Sequence, residues 1–99
     1  MVVRDQAFRH PEWGMVCHLI ADDLEELHRA AMRLGLKRQW FQPDCRNPHY
    51  DLMRSRIAAA DLQGIPVVSR EEFFEVAARC RQSIAAAKEA QGGPDRVSV

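Results

Sequence analysis

The chain has 99 residues, enough for one hydrophobic core and too few for two. Its 14 Lys and Arg residues balance its 14 Asp and Glu residues, so no basic surplus supports binding to nucleic acid or to an anionic membrane. The three cysteines are odd in number and include no C-x-x-C pair, which argues against a disulfide framework and a thiolate zinc site. Because no apolar run could span a bilayer and the N-terminal segment lacks a signal-peptide core, we expect a cytoplasmic protein.

The first predicted elements are two strands and a helix. VVR near the N-terminus forms a short strand, and residues 15–21 (MVCHLIA) are apolar on both alternating faces apart from His18, which predicts a strand covered on two sides. Asp22 or Asp23 then begins a helix, since Asp22 and Glu25 have the spacing of a capping box. Gly35 follows this helix as its C-terminal stop.

The second half alternates between short strands and helices. Residues 37–42 (KRQWFQ) suggest a short strand, and PDCRNP an irregular loop. A second helix is predicted from His49 or Tyr50 to Gln63, followed by a short strand at residues 65–69 (IPVVS). Ser69 and Glu72 form a further capping box, and the last helix is predicted to end before Gly92.

This order predicts an α/β domain with a small, mostly parallel sheet flanked by about three helices. We expect residues 1–91 to form the single domain and residues 92–99 a flexible tail. Ligands of parallel sheets bind beyond the carboxyl ends of the strands, which would gather Asp22, the loop before His49, and Arg70 at one edge.

Two histidines occupy positions that face the interior. His18 lies mid-strand on the same face as Ile20 and Asp22, and a buried strand seldom holds an imidazole without a partner. His28 falls within the apolar arc of its helix. The simpler interpretation of each is a structural histidine satisfied by a hydrogen bond, and Asp22 is most simply a helix cap.

A second group of polar residues follows Pro48. His49, Tyr50 and Asp51 are consecutive, and all three can bind a metal, transfer a proton or form hydrogen bonds. Arg56 lies on the mostly apolar side of the same predicted helix, where a guanidinium usually has a carboxylate or phosphate to bind. A helix cap and a structural ion pair would explain the same residues.

Several short motifs together resemble a known family. W-G-M-V-C-H-L-I-A-D, E-L-H, H-Y-D, an Arg five residues after that Asp, and G-I-P-V-V-S-R-E are similar to the bacterial and phage family catalogued as domain of unknown function (DUF) 4031, over roughly residues 5 to 80. The resemblance implies a shared polar site and no particular reaction. The polar positions that it implies are Asp5, His18, Asp22, His28, His49, Tyr50, Asp51, Arg56, Arg70 and Glu71.

Three hypotheses remain open. In the first, a divalent metal ion is bound by His18, Asp22 and His28, with His49 and Asp51 as further candidate ligands, while His49, Asp51, Tyr50 and Arg56 assist hydrolysis of a phosphate-containing or other anionic substrate. Without a metal, a histidine with an acid partner could act as general acid and base, with Tyr50 positioning the substrate. In the second, the same edge binds a nucleotide, an anion or a partner protein without chemistry, with Trp40, Phe41 and Tyr50 able to stack on a base. In the third, the polar residues form a structural network.

Overall fold

A computed structural model describes residues 1–43 and 47–98, with side chains up to residue 89. Cys45 and the middle of the predicted PDCRNP loop lie outside the described residues. The elements in chain order are β1 (Val2–Arg4), β2 (Phe8–His10), β3 (Gly14–Ala21), α1 (Leu24–Arg33), a 3-10 helix (Arg38–Trp40), β4 (Tyr50–Met53), α2 (Ser55–Leu62) and α3 (Arg70–Ser98).

The sheet is antiparallel, so the prediction of a mostly parallel sheet is wrong. β3 is the central strand: β1 and β2 pair with its two ends along one edge, and β4 pairs along the other. Within the described part of the chain, the one parallel pairing is an isolated bridge between Arg4 and Val67. The strand expected at residues 65–69 is reduced to that bridge.

The error arises between residues 37 and 53. The predicted strand at residues 37–42 is mainly a 3-10 helix, and the chain then reverses so that Gln42 and His49 form an antiparallel bridge. The segment after this reversal, expected to begin a helix, is strand β4, and α2 begins only at Ser55. The segment expected to run back as a helix runs back as a strand, so β4 pairs antiparallel with β3.

Helices cover both faces of β3, as the sequence predicts. Cys17, Leu19 and Ala21 belong to a buried cluster that includes residues of α1 and α2. Ile20 packs on the opposite face against Phe73 and neighbouring α3 residues. Among the described residues, no helix has the length and apolar character needed to cross a membrane.

The helix ends differ from the predicted ones at α1 and at the end of α3, and agree at the beginning of α3. The N-cap of α1 is Asp23, whose carboxylate accepts the backbone N–H of Glu26, so the expected pairing of Asp22 with Glu25 is shifted by one residue. Ser69 accepts the backbone N–H of Glu72, as predicted. α3 continues to Ser98, beyond the end expected before Gly92, whereas a flexible tail at residues 92–99 stays a prediction.

Candidate metal centre

Strand pairing between β3 and β4 brings three chemically active side chains together. His18 is directly opposite Asp51 in the antiparallel register. His49 lies two residues before Asp51, so period-two alternation places it on the same sheet face, the face that α3 covers. The Nε2 atom of His49 is 3.3 Å from Asp51 Oδ1, and that of His18 is 3.8 Å from the same oxygen. One donor atom from each of the three residues lies within 4.8 Å of the other two.

Each imidazole is oriented by a hydrogen bond through its other nitrogen. Nδ1 of His49 is 2.6 Å from the carbonyl oxygen of Asn47, and Nδ1 of His18 is 2.7 Å from Asp5 Oδ2. A carbonyl oxygen and an ionised carboxylate only accept hydrogen bonds, so these partners assign the proton of both neutral rings to Nδ1. The lone pairs of both Nε2 atoms are therefore available on the side of Asp51.

Asp5 also contacts the backbone of His18. Its Oδ1 atom accepts the backbone N–H of His18 at 2.7 Å, while its own N–H donates to the carbonyl of His18. The hydrogen bond to Asp5 is the largest influence raising the pKa of His18, and the charges of Asp5 and Asp51 act in the same direction, while burial opposes them. His18 is thus protonated more readily than an ordinary histidine, unless another cation takes the place of the proton.

A cavity of about 520 Å³ opens beside the two histidines. Its wall includes Asp5, His18 and His49, together with Arg70 and Phe73 at the beginning of α3. The guanidinium carbon of Arg70 lies 5.4 Å from the ring centre of Phe74, which also lines the cavity. The cavity is of a size typical for small-molecule sites.

His28 and Tyr50, two of the predicted site residues, lie on the other face of the sheet. His28 is buried, as its helical position predicts, and its Nδ1 atom is 2.7 Å from the Tyr50 hydroxyl. Burial is the main cause lowering the pKa of His28, and the charge of Arg38 adds to it. Tyr50 packs in the core between β3 and α1, so the structure separates this pair from His18 by the thickness of the sheet.

Asp22 and Arg56 are also apart from the histidines. Asp22 Oδ1 is 2.6 Å from Arg79 Nε, and Oδ2 is 2.9 Å from the Met1 amine. Although burial opposes it, hydrogen bonding from these two cations lowers the pKa of Asp22. Arg56 donates from Nη2 to the carbonyl of Gly35 at 3.1 Å. Glu71 is exposed in the first turn of α3.

The structure thus regroups the predicted residues: His18, expected as a metal ligand, joins His49 and Asp51, which were expected mainly as catalytic residues. Asp5 was not predicted as a catalytic or metal-binding residue, although an acid directly after β1 is a usable signal once β1 is placed beside β3. Asn47 acts through its backbone carbonyl, so its residue type gave no signal.

Comparison with known proteins gives a family and no activity. A family model described as "Protein of unknown function (DUF4031)" matches residues 2–80. No curated protein and no solved structure matches the chain.

Proposed function

This chain belongs to the DUF4031 family, and we propose that it binds a divalent transition-metal ion through His18, His49 and Asp51 and hydrolyses a small anionic substrate. The observation that carries the proposal is the shared orientation of the two imidazoles. Both have Nδ1 engaged by an acceptor and direct Nε2 toward one carboxylate oxygen. Carboxylates and carbonyls bound to Nδ1 are the usual outer partners of metal-binding histidines.

The separations of the donor atoms support this assignment. Zinc–nitrogen bonds of about 2.0–2.1 Å at tetrahedral angles place neighbouring ligand atoms about 3.4 Å apart. The two Nε2–Oδ1 separations of 3.3 and 3.8 Å are close to that value. Two imidazoles with one carboxylate suit zinc, iron, manganese or nickel, and three protein ligands leave a position for water or substrate.

The adjoining cavity supports hydrolysis of an anion. A metal ion in this position would supply a water nucleophile at neutral pH. Hydrolysis would add the OH of that water to one product and its proton to the other. Arg70 lines the same cavity as the two histidines and provides a positive charge there. The side chains of His18 and Asp51 keep 29% and 20% exposure, which a purely structural polar network would not require.

Metal analysis tests the first half of the proposal. Protein purified without a histidine tag, stripped with a chelator and reloaded should retain about one zinc or manganese ion per chain and melt at a higher temperature. His49→Gln and Asp51→Asn should abolish both effects, whereas His10→Gln, which alters a histidine outside the triad, should preserve them. If metal is not retained and added metals leave the melting temperature unchanged, the proposed centre is wrong.

Hydrolysis requires a separate assay. The loaded protein should cleave an activated aryl phosphate ester, and Asp51→Asn should remove the metal-dependent rate. Stoichiometric metal without turnover of phosphate or carboxylate esters would contradict the hydrolase assignment while leaving the metal site intact.

The remaining assignments from the sequence stay predictions. They are a bacterial or phage origin, a cytoplasmic location, and a small anionic ligand or nucleotide as the binding partner.

A further inference from the structure

A second cavity, of about 680 Å³, lies outside the one beside the histidines. Trp13, Trp40 and Met53 provide its apolar wall, and Arg54 and Arg56 provide its cationic wall. Its volume falls within the range of small-molecule sites. None of these five residues takes part in the proposed metal centre.

The aromatic wall contains both tryptophans of the chain. Trp13 is 47% exposed and Trp40 45% exposed, and Met53 beside them is 38% exposed. Trp13 is stacked on His10, with ring centres 4.1 Å apart and planes 9° from parallel, which restrains the orientation of its indole. Large apolar side chains exposed together, rather than singly, are typical of a binding site.

The cationic wall consists of two arginines without counter-charges. Neither Arg54 nor Arg56 has a carboxylate within 4 Å among the described residues, whereas Arg4 and Arg79 each pair with an aspartate. Arg56 has a single neutral acceptor, the Gly35 carbonyl, and its buried Nε has no acceptor within the described part of the chain. The helix α2 also begins here without a side-chain cap, so its first N–H groups add to the positive potential.

Two acids also line this cavity, and neither neutralises the arginines by direct pairing. Glu12 lies in the wall without an ion pair to Arg54 or Arg56 in the described chain. Asp51 is already engaged: its Oδ2 atom accepts from Gln42 Nε2 at 2.6 Å, and its Oδ1 atom faces the histidines. Neither arginine is therefore paired with an acid among the described residues, so both keep their charge for an anion that enters from solvent.

We propose that this cavity binds a nucleoside monophosphate. The base packs against the indoles of Trp13 and Trp40, and the phosphate is bound by the guanidinium groups of Arg54 and Arg56. A small nucleotide fits better than a polymer, because the net charge of the chain is zero and offers no extended basic surface. The site does not depend on the metal, although Asp51 lies between the cavity and the histidines.

Tryptophan fluorescence tests this site directly, since both indoles of the protein line it. The intact chain, kept in a chelator, is excited at a wavelength selective for tryptophan and titrated with adenosine 5′-monophosphate or guanosine 5′-monophosphate. We expect saturable quenching by at least one of them, at least tenfold weaker binding of the matching nucleoside, and no quenching by inorganic phosphate. The chelator makes the result independent of the proposed metal centre.

Variants distinguish the cavity from unspecific quenching. Arg54→Gln together with Arg56→Gln should raise the dissociation constant of the nucleotide at least tenfold, whereas Arg29→Gln, on the exposed side of α1, should leave it unchanged. Circular dichroism and thermal melting identify any variant that fails to fold, and Arg54→Gln alone then serves as the milder test. Absence of saturable quenching, equal binding of nucleoside and nucleotide, or an unaffected arginine variant would each overturn the proposal.

Discussion

Asp5 binds His18 through both of its carboxylate oxygens. Oδ1 accepts the backbone N–H of His18 and Oδ2 accepts the imidazole Nδ1–H, each at 2.7 Å. One side chain therefore fixes both the backbone and the ring of the histidine. The consequence is that Nε2 of His18 faces Asp51 and His49 in a single orientation.

Replacing this carboxylate should weaken metal binding without removing a ligand. In Asp5→Asn, one amide oxygen cannot serve both N–H groups of His18, and an NH₂ group facing Nδ1 favours the tautomer with the proton on Nε2. We expect zinc affinity to fall about 10–100-fold, as is usual when an outer partner of a ligand is lost. Competition with a chromogenic chelator measures this affinity.

Glu71→Gln is the matched control, because it removes an exposed carboxylate on α3 that lies outside the triad. Its zinc affinity should equal that of the parent. Equal affinities for Asp5→Asn and Glu71→Gln would mean that Asp5 does not orient the ligand.

The raised pKa of His18 predicts opposite effects of pH with and without metal. With a chelator present, protonated His18 stabilises the fold, because its pKa in the folded state is raised above the ordinary value of 6.5. This contribution is complete below pH 6.5 and disappears as the pH rises through the raised pKa. The stability advantage of the parent over His18→Gln, measured by urea unfolding, should therefore be larger at acidic than at alkaline pH.

With metal the sign reverses, because the ion competes with a proton for Nε2. Zinc affinity should rise with pH across the same range. A stability difference between parent and His18→Gln that stays constant with pH in the chelator would contradict the proposed pairing of His18 with Asp5.

The hydrogen bond between His28 and Tyr50 should contribute to stability and not to metal binding. Tyr50→Phe leaves the buried Nδ1 of His28 without its partner, which costs about 1–3 kcal/mol of unfolding free energy. Zinc stoichiometry should remain at that of the parent, since the sheet separates Tyr50 from the triad. A variant that unfolds like the parent, or one that loses zinc, would show that the two faces of the sheet are assigned wrongly.

The sequence predicts the parts of the fold that depend on local pattern. The central strand, the first helix with its stop before Gly35, and the inward position of His28 follow from periodicity and capping residues. The direction of the strands could not be predicted in this way. It depends on the reversal between Gln42 and His49. The sequence indicates a loop there, but not that the segment after it pairs with β3 as a strand.

The same part of the chain explains why the sequence predicts the site only in part. Treating His49, Tyr50 and Asp51 as a helix start placed all three side chains in one group. As a strand, the segment sends His49 and Asp51 to one face and Tyr50 to the other, so the real partner of Tyr50 is His28. Residue types identified the candidate side chains, but the strand register determined which of them meet.

Anomalous diffraction from zinc-loaded crystals, recorded at the zinc absorption edge, would locate the metal ion itself. We expect one strong peak about 2.0–2.2 Å from Nε2 of His18, Nε2 of His49 and a carboxylate oxygen of Asp51. Crystals grown with stoichiometric zinc that show no peak between these three residues, or show it only elsewhere, would contradict the proposed metal centre.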